Sequence, residues 1–266
     1  MGTSHLRETD VDLLLRVIED ARHDDPGEAM PWALLEGLQR LVPCDVEVSY
    51  QHHDYVGFRS LVMQAVTDGD THEGPDHPDL DPVDIPFWQF WWRGSCSYPQ
   101  RSGDLRTVIH TGDFFPTERE RLADPLTEIL PDVKCEMIVS LPAPPGEARR
   151  VLFMRASGPS FSERDRQVAA LIRPHLQEIW LDAERRRNRV PQLTPREWQV
   201  LAMAASGLSY SQIAYQLFVS VGTVRKHMEH VRERLEVHSV AAAAATALPH
   251  APTAVLAGLP LHQVAG

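Results

Sequence analysis

Chemistry in this sequence is concentrated in a few places. Arg225 and Lys226 lie near the start of a segment, residues 220–235, in which Val224, Met228, Val231 and Leu235 recur at i, i+4, i+7 and i+11. That recurrence is one stripe of a helix, so Gly222, Arg225, Lys226, Glu229 and Glu233 form the opposite, exposed face. Cations displayed at the start of a helix suit a polyanion. A second group is Phe87-Trp88-Gln89-Phe90-Trp91-Trp92. In a helix Trp88, Trp91 and Trp92 share a face, and rings with a polar handle suit an apolar ligand pocket. Core packing and a dimer surface use the same residues equally well. Tyr50, Met63 and Met137 are candidate pocket partners.

Other chemistry-bearing residues fail on spacing. His52-His53-Asp54 has no Ser or Cys nucleophile placed with it by any signature. Residues 68–84 hold seven acids, but they lack a calcium-loop spacing, and His72 and His77 have no third ligand. The expectation is a solvated loop, no catalytic residue, no metal and no cofactor. Cys44, Cys96 and Cys135 contain no Cys-x-x-Cys, which argues against a disulfide framework and a zinc ribbon and leaves redox sensing open.

The elements that position these residues divide by charge. The chain has 266 residues and a net charge of −11. Residues 1–183 carry −15, residues 184–240 carry +4, and residues 241–266 carry no charge. A large acidic module therefore precedes a small basic one. No apolar run is long enough to cross a membrane, and the start, Met-Gly-Thr-Ser-His-Leu-Arg-Glu, is not a signal peptide. A cytoplasmic protein is expected.

In the acidic module, Val11, Leu14, Leu15 and Ile18 predict one helix and Met30, Leu34, Leu35, Leu38 and Leu41 another. Val46, Val48 and Tyr50 alternate with polar residues, a strand period, and residues 60–66 form a second strand. Residues 136–141 and 150–155 flank Pro142-Ala143-Pro144-Pro145-Gly146, which reads as a hairpin. A long helix over 163–186 follows, which Pro174 should kink or split. Helices around an antiparallel sheet make an α+β layout.

In the basic module, Thr194, Pro195 and Glu197 form a capping box, and Gly207 should end that first helix in the left-handed region. Ser209 and Gln212 cap a short second helix, and Ser220 caps the third. Two short helices and a tight turn, the second exposing cations near its start, describe a helix-turn-helix.

This pattern resembles the LuxR/GerE-type four-helix DNA-binding domain. The elements in register are Leu193-Thr194-x-Arg196-Glu197, Val200-Leu201, Gly207-Leu208-Ser209, Ile213-Ala214, Leu217, Val219-Ser220, Thr223-Val224 with His227, and Leu235. Tyr210 stands where Asn is usual, Arg234 where Lys is, and Val240 where Arg is frequent. The resemblance implies that Arg225, Lys226 and Glu229 face base edges of double-stranded DNA, with Thr223, Tyr210 and Arg234 at the backbone. It also implies a homodimer, held by the long helix 163–186 or by the last helix.

A phosphoacceptor receiver is rejected for the acidic module, which has one lysine, Lys134, and no acidic pair ending an early strand. An acyl-homoserine-lactone domain is echoed by Asp81-Pro82-Val83 and Trp88, but residues 56–80 hold only Phe58 as an aromatic. The order of elements is similar to a GAF-like domain. The resulting organisation is a GAF-like α+β sensor and dimerisation domain at 1–185 and a linker at 186–192. An all-α LuxR-type helix-turn-helix domain at 193–248 and an apolar tail at 249–266 complete it. The implied function is a DNA-binding transcriptional regulator with a small-molecule effector; the alternative is a regulator whose first domain binds a partner protein.

Overall fold

The computed structural model describes residues 6–24, 29–74, 85–124, 127, 130–187, 192–252 and 255. It divides into two compact units, residues 1–179 and 180–266. The central part of the expected linker (188–191), Asp81-Pro82-Val83, His77 and most of the tail from 253 on lie outside the described residues.

In the N-terminal unit, α1 (Glu8–His23) and α2 (Trp32–Leu41) precede β1 (Glu47–Asp54), β2 (Arg59–Thr67) and β3 (Asp70–Glu73). After α3 (Pro86–Gln89) and α4 (Tyr98–Ser102) come β4 (Ile109–His110), α5 (Glu118–Leu122), β5 (Cys135–Leu141) and β6 (Glu147–Arg155). The strands form one antiparallel sheet in the order β3-β2-β1-β6-β5-β4. An α+β fold is thus what the alternating helical and strand periods specify. The acid-rich loop was expected to be irregular, yet its first part is the edge strand β3, exposed throughout. An edge strand needs no apolar face, so no period betrayed it.

The helix α6 (Glu163–Arg187) runs unbroken through Pro174, so the expected split does not occur. Its last turns, from Trp180, group with the C-terminal unit. On α1 the buried face is Leu14, Val17, Ile18 and Ala21, whereas Val11 and Leu15 are exposed. The stripe is rotated from the expected one, and Val17 on α1 packs directly against Gly37 on α2. A Cβ added at Gly37 would stand 2.6 Å from Val17 Cγ1. Arg164 ties these elements together, donating to Asp10 Oδ1 at 2.6 Å and to the Leu41 carbonyl at 2.8 Å.

Alternation in β1 sorts the unit's interior into two faces. Val48 and Tyr50 stand opposite Phe153 and Val151, and Met137 stands opposite Phe153 on the next strand. This face meets the α2 side, where Gln64, the partner of Tyr50 across β1 and β2, exchanges hydrogen bonds with the Met30 backbone. Ser49, Gln51, His53, Met63, Ile138, Arg150 and Leu152 occupy the reverse face.

Among the described residues the C-terminal unit holds four further α-helices: α7 (Pro195–Ala205), α8 (Tyr210–Gln216), α9 (Val221–Arg234) and α10 (Val240–Ala247). They close around Trp198, Leu201, Ile213, Val224, Met228 and Val231, with Ala243 and Ala247 from α10.

Candidate functional site

Local signals in the sequence set the helix ends that frame the exposed face of α9. Thr194 Oγ1 accepts from the Glu197 N–H, and Glu197 Oε2 accepts in return from the Thr194 N–H at 2.8 Å. Gly207 takes φ +85, the left-handed value expected after α7. Ser209 and Gln212 form the second capping box. The turn between α8 and α9 passes through Phe218 at φ +53, a left-handed conformation that opposes a bulky side chain. Ser220 then caps α9, accepting from the Thr223 N–H at 3.0 Å.

With Val224, Met228 and Val231 buried, α9 turns Arg225, Lys226 and Glu229 to solvent, one turn apart on a common side. Among the described residues none of the three makes a hydrogen bond or ion pair within the chain, and they remain available to a ligand. Thr223 is half-buried, its hydroxyl 2.9 Å from that of Ser220. Tyr210 opens α8 and packs partly against the core. Arg234 differs from the others. Its Nη1 donates to the buried carboxylate of Glu197 at 2.6 Å and to the Gln192 carbonyl at 3.2 Å. Part of its guanidinium therefore serves the fold, which competes with the expected phosphate contact. A feature that periodicity did not flag is the exposed apolar pair Tyr215 and Phe218, 83% and 93% accessible. Phe218 lies outside any helical stripe because it sits in the turn.

The aromatic segment of the N-terminal unit is arranged differently from expectation. The helix α3 is one turn long, and the chain leaves it at Phe90. Trp88 and Trp91 are buried, but Trp92 swings out to 47% exposure, edge-on to Tyr55. The expected shared face of three tryptophans thus breaks where the helix ends. Tyr50 and Met137 are fully buried on the face of the sheet toward α2, whereas Met63 stands opposite Gln51 on the face toward the tryptophans. The six proposed pocket residues therefore do not line one pocket; strand alternation separates them.

What the tryptophans do meet is a polar cluster. His53 lies 5.4 Å from Trp88 and 5.8 Å from Trp91, ring to ring. Gln51, His53, Ser49, Ser140 and Arg150 are all buried. Arg150 Nη2 approaches His53 Nε2 at 3.1 Å. The same nitrogen lies 3.1 Å from Gln51 Oε1, and Nδ1 lies 3.1 Å from Ser60 Oγ, so the ring has a polar neighbour at each nitrogen. Burial, reinforced by the Arg150 charge, pushes the His53 pKa well below its ordinary value and keeps the ring neutral. Arg150 was not singled out from the sequence. The available signal was a charged residue between Ala148 and Leu152 at every second position of an apolar strand.

Burial also raises the thiols of all three cysteines, Cys44 to about 12. Among the described residues no helix is long and apolar enough to cross a membrane, and no group of three metal-type ligands assembles.

Comparison with known proteins agrees with the C-terminal geometry. The family "Bacterial regulatory proteins, luxR family" matches residues 191–247. The chain is 37% identical over 81 residues to a nitrate/nitrite response regulator protein homolog of Haemophilus influenzae, covering 30% of this chain and 39% of that protein. It is 38% identical over 69 residues to the HTH-type transcriptional regulator MalT of Yersinia pestis, covering 24% of this chain and 8% of that one. The chain thus spans well under half the length of these relatives. Among solved structures, SdiA in complex with octanoyl-rac-glycerol aligns at 17% identity with a TM-score of 0.38, covering 92% of this chain and 97% of that one. The VqsR LBD domain of Pseudomonas aeruginosa aligns at 12% identity with a TM-score of 0.42, covering 67% and 98%. The capping boxes, the buried stripe of α9 and the family match coincide on the same residues: the C-terminal unit carries a helix-turn-helix domain of the luxR family of bacterial regulatory proteins.

Proposed function

We propose that this protein is a sequence-specific DNA-binding transcriptional regulator, a homodimer whose GAF-like N-terminal unit receives a small-molecule signal. The observation that carries the reading is α9, capped by Ser220, buried along Val224, Met228 and Val231, and presenting Arg225, Lys226 and Glu229 to solvent. A helix so displayed fits the major groove, where Arg pairs with guanine O6 and N7 and Glu accepts from cytosine N4. Thr223 and Tyr210, at the starts of α9 and α8, would meet phosphates, as helix N-termini do. Effector binding would bias an equilibrium between conformations with different affinity for the operator. The domain's family supports this reading, as do the antiparallel sheet and its buried polar cluster beneath tryptophans.

The test is selection of DNA from a random library by the full chain, followed by fluorescence anisotropy on the enriched duplex. Replacing Arg225 and Lys226 together with Ala should lower affinity by about thirtyfold or more, two lost base contacts of roughly 1–3 kcal/mol each. The wild-type affinity should fall steeply with salt. Unchanged affinity in the double variant would sink the assignment. A second reading, in which this unit docks on a protein, is favoured by the exposed Tyr215 and Phe218. It expects no enriched DNA and no salt dependence.

A further inference from the structure

We propose that Arg150 is the anion-binding head of an effector site for a compact organic carboxylate, set between the sheet and the aromatic segment. The inference rests on the effector reading above and adds the charge of the ligand.

A guanidinium has five N–H donors and no acceptor. Arg150 is only 3% exposed, and every hydrogen-bond partner it has among the described residues is neutral. Its Nε donates to Gln51 Oε1 at 2.9 Å and its Nη1 to the Cys96 carbonyl at 3.3 Å, and its Nη2 lies 3.1 Å from His53 Nε2. The Cys96 thiol also meets the guanidinium. A remaining N–H is a charged donor of the kind that meets an oxygen of a carboxylate. Proteins rarely bury a guanidinium without a hydrogen-bonded anion, because desolvating it is costly. Glu136 senses the Arg150 charge but makes no hydrogen bond to it, and burial raises its carboxyl toward the neutral form.

A second buried donor lies nearby. The Trp91 indole N–H, in a residue 1% exposed, has no partner among the described residues. The Trp91 and Phe87 ring centres lie 5.3 and 5.7 Å from the Arg150 guanidinium carbon. Phe87 and Cys96, both against Arg150, also line a cavity of about 60 Å³. An adjoining cavity of about 190 Å³ shares Thr111, Phe115 and Lys134 with it. These volumes are below those of drug-sized sites, so the ligand is small. Its acid would meet Arg150 and Trp91 once Phe87 yields, with the body of the ligand against aromatic rings and the cavity wall.

The experiment uses the full chain and two matched probe pairs, phenylacetate with phenylacetamide and hexanoate with hexanamide, read by tryptophan fluorescence at millimolar concentration. Saturable quenching by at least one acid is expected, with its amide weaker by about tenfold or more, as loss of a charge-assisted hydrogen bond requires. Arg150→Met should abolish the preference for the acid. Arg150→Lys, which keeps the charge, should retain part of it, and this guards against a variant that simply fails to fold. Equal binding of acid and amide would overturn the proposal while leaving a neutral effector in place. Acid preference surviving in Arg150→Met, or no saturable response to either acid, would also overturn it. The DNA-binding result stands or falls separately, on Arg225 and Lys226.

Discussion

Glu197 is where the sequence's capping signal and the tertiary structure converge, and its removal makes a quantitative test. Its carboxylate is buried and accepts from the Thr194 N–H at 2.8 Å, the Thr194 hydroxyl at 2.9 Å and Arg234 Nη1 at 2.6 Å. Glu197→Ala deletes the return half of a capping box, about 1 kcal/mol. It also deletes a charge-assisted bond of about 1.5–3 kcal/mol, reduced here because the Arg234 side chain is 43% exposed. The net loss should be about 2–3 kcal/mol. For a unit of this size that lowers the melting temperature of the C-terminal unit by roughly 10 °C or more. Arg234→Met should cost about 1–2 kcal/mol, because it leaves the carboxylate buried but still held by Thr194. Denaturant melts of the full chain, with hydrogen exchange over α7 and α9 to identify the transition, would measure both. A Glu197→Ala change under about 0.5 kcal/mol refutes the reasoning. If instead Arg234→Met leaves stability intact and weakens DNA binding, the arginine belongs to the phosphate backbone, as its motif position implied.

Three further outcomes follow from the same structure. Phe218→Gly, at φ +53 with the ring 93% exposed, should raise stability by about 0.5–1 kcal/mol in a denaturant melt, since left-handed backbone penalises a Cβ; a loss would show that the ring packs. Iodoacetamide at pH 8 should label Cys44, Cys96 and Cys135 slowly in the native protein and fully in urea, because burial raises all three thiols; rapid native labelling would reopen redox sensing. The folded pKa of His53 is depressed, so below about 6.5 the unfolded chain binds more protons than the native one, and stability of the N-terminal unit should fall as pH drops from 7 to 5. His53→Gln should flatten that slope in urea melts at several pH values, and an unchanged slope would assign it to other groups, such as His110, whose pKa is also lowered.

Much of the C-terminal unit was legible because its determinants are local. Thr194 with Glu197, Ser209 with Gln212, Gly207 and Ser220 act within four residues of themselves, and one period of 3.6 distinguishes the buried stripe of α9 from its exposed cations. The strands β1, β2, β5 and β6 were equally readable from alternation and from the Pro-rich hairpin. What alternation could not supply is which strands neighbour each other and which side of the sheet the tryptophans cover. Those depend on contacts between residues about a hundred positions apart, such as Gln51 with Arg150. Hence Tyr50 and Met137 were grouped with Trp88 although the sheet separates them, and Trp92 was placed on a helical face that ends at Phe90. Arg150 read as an ordinary charge in an apolar strand. Only the antiparallel pairing of β6 with β1, beneath the aromatic segment, buries its guanidinium among neutral partners, because strand pairing is chosen by long-range packing that no local pattern encodes.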